Sequence, residues 1–182
     1  MVAMLIVLVA GLVAQTPTVE ERVDYYDVAG SSEEELRAAI DKQRPKDRAG
    51  ERHDAVTNWD VLWTYRYVTV AGGCAVGSLA TTLEVATIFP RWPNRQSGTL
   101  TERWDKYTAA LKAHEREHMD IALRAAQVIH KRLSSHEKAR TCPLLKASID
   151  SKGQALLDQF RSEEAEYDQR TQHGASQGAR FP

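Results

Sequence analysis

The sequence predicts an α+β domain, a small antiparallel hairpin sheet packed on two long antiparallel helices. Three observations carry that expectation. Two runs, Trp59 to Tyr67 and Leu79 to Phe89, alternate apolar and polar residues with period two, the pattern of half-buried strands. Two later stretches repeat apolar residues at helical spacing, Trp104, Tyr107, Leu111, Ile121, Ala125 and Val128 in the first and Leu145, Ile149, Leu156, Phe160 and Tyr167 in the second. The length of 182 residues suits a single domain.

Each element follows from local chemistry. Residues 1–14 are uncharged and almost wholly apolar, too short to span a bilayer but long enough for the core of a signal peptide, which could extend to about residue 20. Residues 21–182 then form the mature domain, secreted or periplasmic, with no stable membrane association after cleavage. Tyr25 to Val28 reads as a short strand. Three acids, Glu33 to Glu35, after Ser31 and Ser32 start a helix, because carboxylates suit the positive end of the helix dipole. Residues 43–54 are polar, hold Pro45 and Gly50, and read as a loop. The Gly72-Gly73 step between the two alternating runs makes them a hairpin. Thr99-Leu100-Thr101-Glu102 reads as a capping box with Thr99 as N-cap. From there to about Leu133 neither Pro nor Gly interrupts the first long helix. Ser134 to His136 breaks it, and the second long helix starts near Thr141 and Pro143.

Composition excludes some functions. Lys plus Arg is 24 and Asp plus Glu is 25, so the net charge is −1, which argues against a nucleic-acid partner bound through neutralised phosphates. Two cysteines are too few for a four-cysteine zinc site. In an oxidising compartment Cys74 and Cys142 are expected to pair as a disulfide.

The chemistry concentrates at His114-Glu115-Arg116-Glu117-His118. Histidines four apart leave one helix face together and can share one ion, while the intervening Glu115 can take a proton from water at the open coordination position. This composition would produce the five-residue pattern by chance about 0.015 times. Both histidines fall on the apolar stripe, where a buried imidazole needs a partner and a metal supplies one for both. The helix is therefore expected to be a zincin-like active-site helix holding one catalytic Zn²⁺. A catalytic zinc needs a third protein ligand. With the helix turn centred near residue 138, the second helix passes the histidines at about Asp158 to Ser162, and a reversal through Gly174 brings back His173. Glu163 or Glu164 is the alternative, giving a two-His-one-carboxylate site. Tyr167 is the candidate oxyanion donor. The Leu79 to Phe89 strand, if a sheet edge, would take an extended peptide by strand addition.

Further motifs lie far apart in the chain: Trp59-Asp60-Val61-Leu62-Trp63, Gly73-Cys74, Pro90-Arg91-Trp92, His114 to His118, Tyr167 to Gly174, and Gln177-Gly178. Together they resemble the DUF922 group of secreted bacterial proteins, predicted zinc-dependent proteases, from about Asp24 to the C-terminus. The resemblance implies a secreted zinc-protease-like fold, a peptide or protein substrate, and a functional role for His173. The competing expectations are an inactive zinc-binding envelope module that recognises partners through Trp59, Trp63, Tyr65 and Tyr67, and an amidase acting on cell-wall peptide.

Overall fold

A computed structural model describes residues 16–95, 97–136 and 138–181. The expected signal peptide lies outside the described residues. The chain folds as a mixed α+β unit of three strands and three helices, in the order β1 (Thr18–Asp27), α1 (Glu33–Gln43), β2 (Val56–Val70), β3 (Gly73–Arg91), α2 (Thr99–Ser134) and α3 (Cys142–Thr171), with a final 3-10 turn at Ala175–Gln177.

The two alternating runs pair antiparallel, from Val56 opposite Ile88 to Val70 opposite Gly73. Ala71 and Gly72 make the turn, with Gly72 at φ +77. Side-chain parity survives folding on β3: Leu79, Thr81, Leu83, Val85 and Thr87 are buried while Ala80 and Glu84 are exposed. The short strand expected near Tyr25 is ten residues long and lies parallel to β3, so the sheet order is β1-β3-β2. This corrects one expectation. The Leu79 to Phe89 strand is central and from Thr82 onward is flanked by β1 and β2, so there it offers no edge to a peptide. The edge near the helices' polar stretch is β2.

Helix α1 starts as read, with the Ser32 side chain accepting from the Glu35 amide. Helix α2 does not. Its N-cap is Gly98, with no side-chain cap bond, and Thr99 is already helical. Helix α3 is capped by Thr141, whose hydroxyl accepts from the Leu144 amide. Contacts between the two long helices step in opposite chain directions: His136 with Ser148, Arg124 with Glu163, His118 with Asp168. On α3 Leu157 rather than Leu156 is fully buried, and Gly153 sits in the stripe because Trp63 occupies the space. A Cβ on Gly153 would stand 2.6 Å from a ring carbon of that tryptophan.

Two apolar clusters result. One joins Trp59, Leu83, Ile121, Ile129, Leu133, Leu145 and their neighbours between the sheet and the long helices. The other joins Leu36, Ile40, Trp92, Trp104, Tyr107 and Phe181. The Cys74–Cys142 disulfide links the start of β3 to the start of α3. No described helix is long and apolar enough to cross a membrane. Trp59 is buried and its indole N–H donates to Glu164, so it is core, not part of an exposed aromatic recognition surface. Of the four hairpin aromatics only Tyr67 is exposed as a large hydrophobic.

Candidate metal centre

The polar stretch of α2 lies between the two clusters, flanked by Leu111 on one side and Ile121 on the other. His114, Glu115 and His118 are all buried, at 3%, 5% and 5% exposure. Helical spacing turns both imidazoles to the same face, where α3 presents Asp168. His118 Nε2 lies 3.2 Å from His114 Nε2 and 3.1 Å from Asp168 Oδ1, and His114 Nε2 is 3.1 Å from the same oxygen. Three ligand atoms thus form a nearly equilateral triangle. Tetrahedral bonds of about 2.1 Å to one ion set ligand atoms about 3.4 Å apart, so the triangle is close to the spacing such an ion requires. Its chemistry, two imidazoles and one carboxylate, suits a small divalent ion such as zinc.

The outward nitrogen of each ring lies near an acceptor, the kind of partner metal-ligating histidines almost always have. His114 Nδ1 is 3.0 Å from Gln177 Oε1. His118 Nδ1 is 3.3 Å from Glu164 Oε1, within ion-pair range but without the alignment of a hydrogen bond, and it has no other partner among the described residues. Tyr167 packs against both rings, stacked on His114 at 4.9 Å and edge-on to His118 at 5.2 Å.

Electrostatics follow from burial and neighbours. Burial pushes the Glu115 carboxyl up, only partly offset by His118, by the Thr57 hydroxyl that donates to it at 2.7 Å, and by His114. Burial also opposes ionisation of Asp168, but hydrogen bonds with His114 and His118 outweigh it and hold that carboxyl well below the usual carboxylate range. For His118 burial works against the charged form, yet Asp168, Glu164 and the Glu115 charge together raise its pKa to about 10.

A cleft of about 950 Å³ opens onto this group and is lined by His114, Glu115, His118 and Asp168 together with His53 and His173. Its far wall is the 44–55 loop. That loop is held by Asp54, which accepts two bonds from Arg37 and one from the Tyr107 hydroxyl, while its carbonyl accepts from Tyr26.

The site residues expected from sequence fall in three places. His114, Glu115 and His118 are together, as the motif requires. His173 is beside the triangle rather than in it: its Nδ1 is 3.6 Å from Asp168 Oδ2, and its ring stacks on His53 at 4.3 Å. Glu164 supports His118 from outside, and Glu163 pairs with Arg124 on the surface of the helix pair. Tyr167 does not line the cleft, and its hydroxyl meets the Gln177 amide. The residue that completes the ligand group, Asp168, was not singled out. Helix α3 passes the histidines at Glu164 to Asp168, not at Asp158 to Ser162, because the chain pairs Ala139 with Cys74 at the start of β3 before α3 begins instead of turning directly back. The available signal was the spacing of Glu164 and Asp168, one helical turn apart on the face toward α2.

A family model described as "Bacterial protein of unknown function (DUF922)" matches residues 23–174. The chain belongs to the DUF922 family. No curated protein and no solved structure matches it. The family description carries no activity, so the chemistry of this DUF922 chain rests on its own side chains.

Proposed function

We propose that this DUF922 protein is an exported zinc-dependent peptidase with a zincin-like helix, α2, and a two-His-one-carboxylate centre of His114, His118 and Asp168. The observation that carries the reading is the triangle of ligand atoms at the base of an open cleft, with Glu115 beside it. A zinc ion held there would polarise the scissile carbonyl and lower the pKa of water.

The chain's own residues account for the rest. Glu115 lines the cleft and is held by Thr57, so its carboxylate is oriented to receive a proton from the attacking water. As the water oxygen adds to the carbonyl carbon, that proton moves to Glu115. As the C–N bond breaks, the same proton passes to the leaving amine. Residues 56–59 of edge strand β2 line the cleft, so an extended substrate can pair with this strand. The Trp59 carbonyl is already taken by Arg48, which limits pairing to the positions before it. Export is supported by the uncharged leader and by the disulfide, a bond that persists in oxidising compartments.

The test is metal content and peptide hydrolysis of the purified chain beside Glu115→Gln and Asp168→Ala. Glu115→Gln is expected to keep one zinc and lose about 10²–10⁴-fold in rate. Asp168→Ala is expected to lose zinc. Full hydrolysis by Glu115→Gln would falsify the peptidase assignment, and cleavage of cell-wall peptide with none of unfolded protein would move it to the amidase alternative.

A further inference from the structure

We infer that Gln177, in the C-terminal segment, is a positioning residue that sets the tautomer of His114 and so prepares its Nε2 to bind a metal. The inference rests on the metal-centre reading and goes beyond it, since Gln177 is no ligand.

A neutral imidazole has one N–H donor and one acceptor nitrogen. An amide carbonyl oxygen only accepts. Gln177 Oε1 lies 3.0 Å from His114 Nδ1 and so favours the tautomer with the proton on that nitrogen. That tautomer leaves the lone pair on Nε2, the atom that faces His118 Nε2 and Asp168 Oδ1, as a metal held there requires. The Tyr167 hydroxyl lies 3.2 Å from both amide atoms, where it can donate to Gln177 Oε1 or accept from Gln177 Nε2. A flipped amide would turn donors toward His114 and place the imidazole proton on the metal-facing side. The Tyr167 ring stacks on His114 beside this contact.

The segment is built to deliver this side chain. Gln172, His173 and Gly174 are three consecutive left-handed residues, with φ of 53, 51 and 79. Left-handed backbone at two non-glycine positions is costly and persists only where surroundings enforce it. It folds the chain back onto α2 immediately after α3. Gly174 then lies so close to the ligand that a Cβ would stand 3.0 Å from His114 Cγ. Backbone bonds from Gln177 and Ala179 to the Gly174 carbonyl close the turn. Downstream, Phe181 is 1% exposed and packs on Trp104 and Tyr107. The backbone of Gln177 is thus held between two anchors, and its exposed side chain reaches His114 from the solvent side.

The experiment measures zinc affinity by chelator competition for wild type, Gln177→Ala and Gln177→Glu, with the fold of each checked by near-UV circular dichroism. It also records the imidazole N–H resonances of the zinc-loaded proteins. Gln177→Ala is expected to bind zinc about 10–100-fold more weakly, the usual cost of removing such a partner. It should also lose one slowly exchanging, downfield Nδ1–H resonance. Gln177→Glu keeps an acceptor and should restore both. A purely structural role would not follow acceptor chemistry. An affinity for Gln177→Ala within twofold of wild type, or a folded Gln177→Glu as weak as Gln177→Ala, overturns the inference. Wild type that binds no zinc overturns the metal centre first, an outcome distinct from tight wild-type binding with unchanged variants.

Discussion

Helix α2 threads two apolar clusters that are closed by different means. The cluster around Ile121 to Leu133 is sealed by the sheet, by α3 and by the Cys74–Cys142 disulfide. The cluster around Trp104 to Leu111 has no covalent closure among the described residues. It is sealed by ring packing, Trp104 with Trp92 at 5.8 Å and with Phe181 at 5.5 Å, and by the half-buried Arg37–Asp54 pair beside it. The polar turn of α2 lies between them. The difference teaches that the candidate metal site has one covalently stapled side and one side that depends on residues 174–181, the same segment that reaches His114.

Four measurements can break or sharpen this comparison. The largest effect is expected from replacing both cysteines with serine. The sequence separation of 68 corresponds to about 4 kcal/mol of unfolding free energy in the chain-entropy model, readable from urea denaturation. Zinc affinity should hold, because the disulfide lies beyond the far end of the stapled cluster from the ligands. Next, Phe181→Ala should cost about 3 kcal/mol through its cavity and, unlike the disulfide variant, weaken zinc binding. Equal zinc affinity in both variants would erase the proposed asymmetry. Zinc itself, at about 100 times its dissociation constant, should add about 2.7 kcal/mol to unfolding of wild type and nothing to Asp168→Ala. Smallest is Gly153→Ala, where a Cβ meets the Trp63 ring. It should cost about 2 kcal/mol by overpacking and leave zinc affinity unchanged.

Much of the architecture is legible in the chain. Hairpin parity, the starts of α1 and α3, the end of α2 and the cysteine pair follow from period, caps and composition, all of which act over a few residues or, for the cysteines, through their small number. The failures share a cause. Residues 18–27 carry Glu20, Glu21, Arg22, Asp24 and Asp27. They form a strand because β3 offers a free edge, and parallel pairing has no local signature. Thr99 has the chemistry of an N-cap, yet the chain enters α2 one residue earlier, through Gly98 at φ +150, a backbone open to glycine.

The site divides along the same line. His114, Glu115 and His118 are set by helical geometry alone, since a four-residue spacing stacks two side chains on one face wherever the helix sits. Their burial follows from the apolar residues on either side of them in the same stripe. What the tertiary structure decided is the third ligand and the polar surroundings: Asp168 in the triangle, His173 beside it, Glu164 and Gln177 behind the two rings. Those placements depend on the pairing of Ala139 with Cys74 between the two helices and on a left-handed reversal after Thr171. Both are set by packing between segments far apart in the chain, which local spacing does not encode.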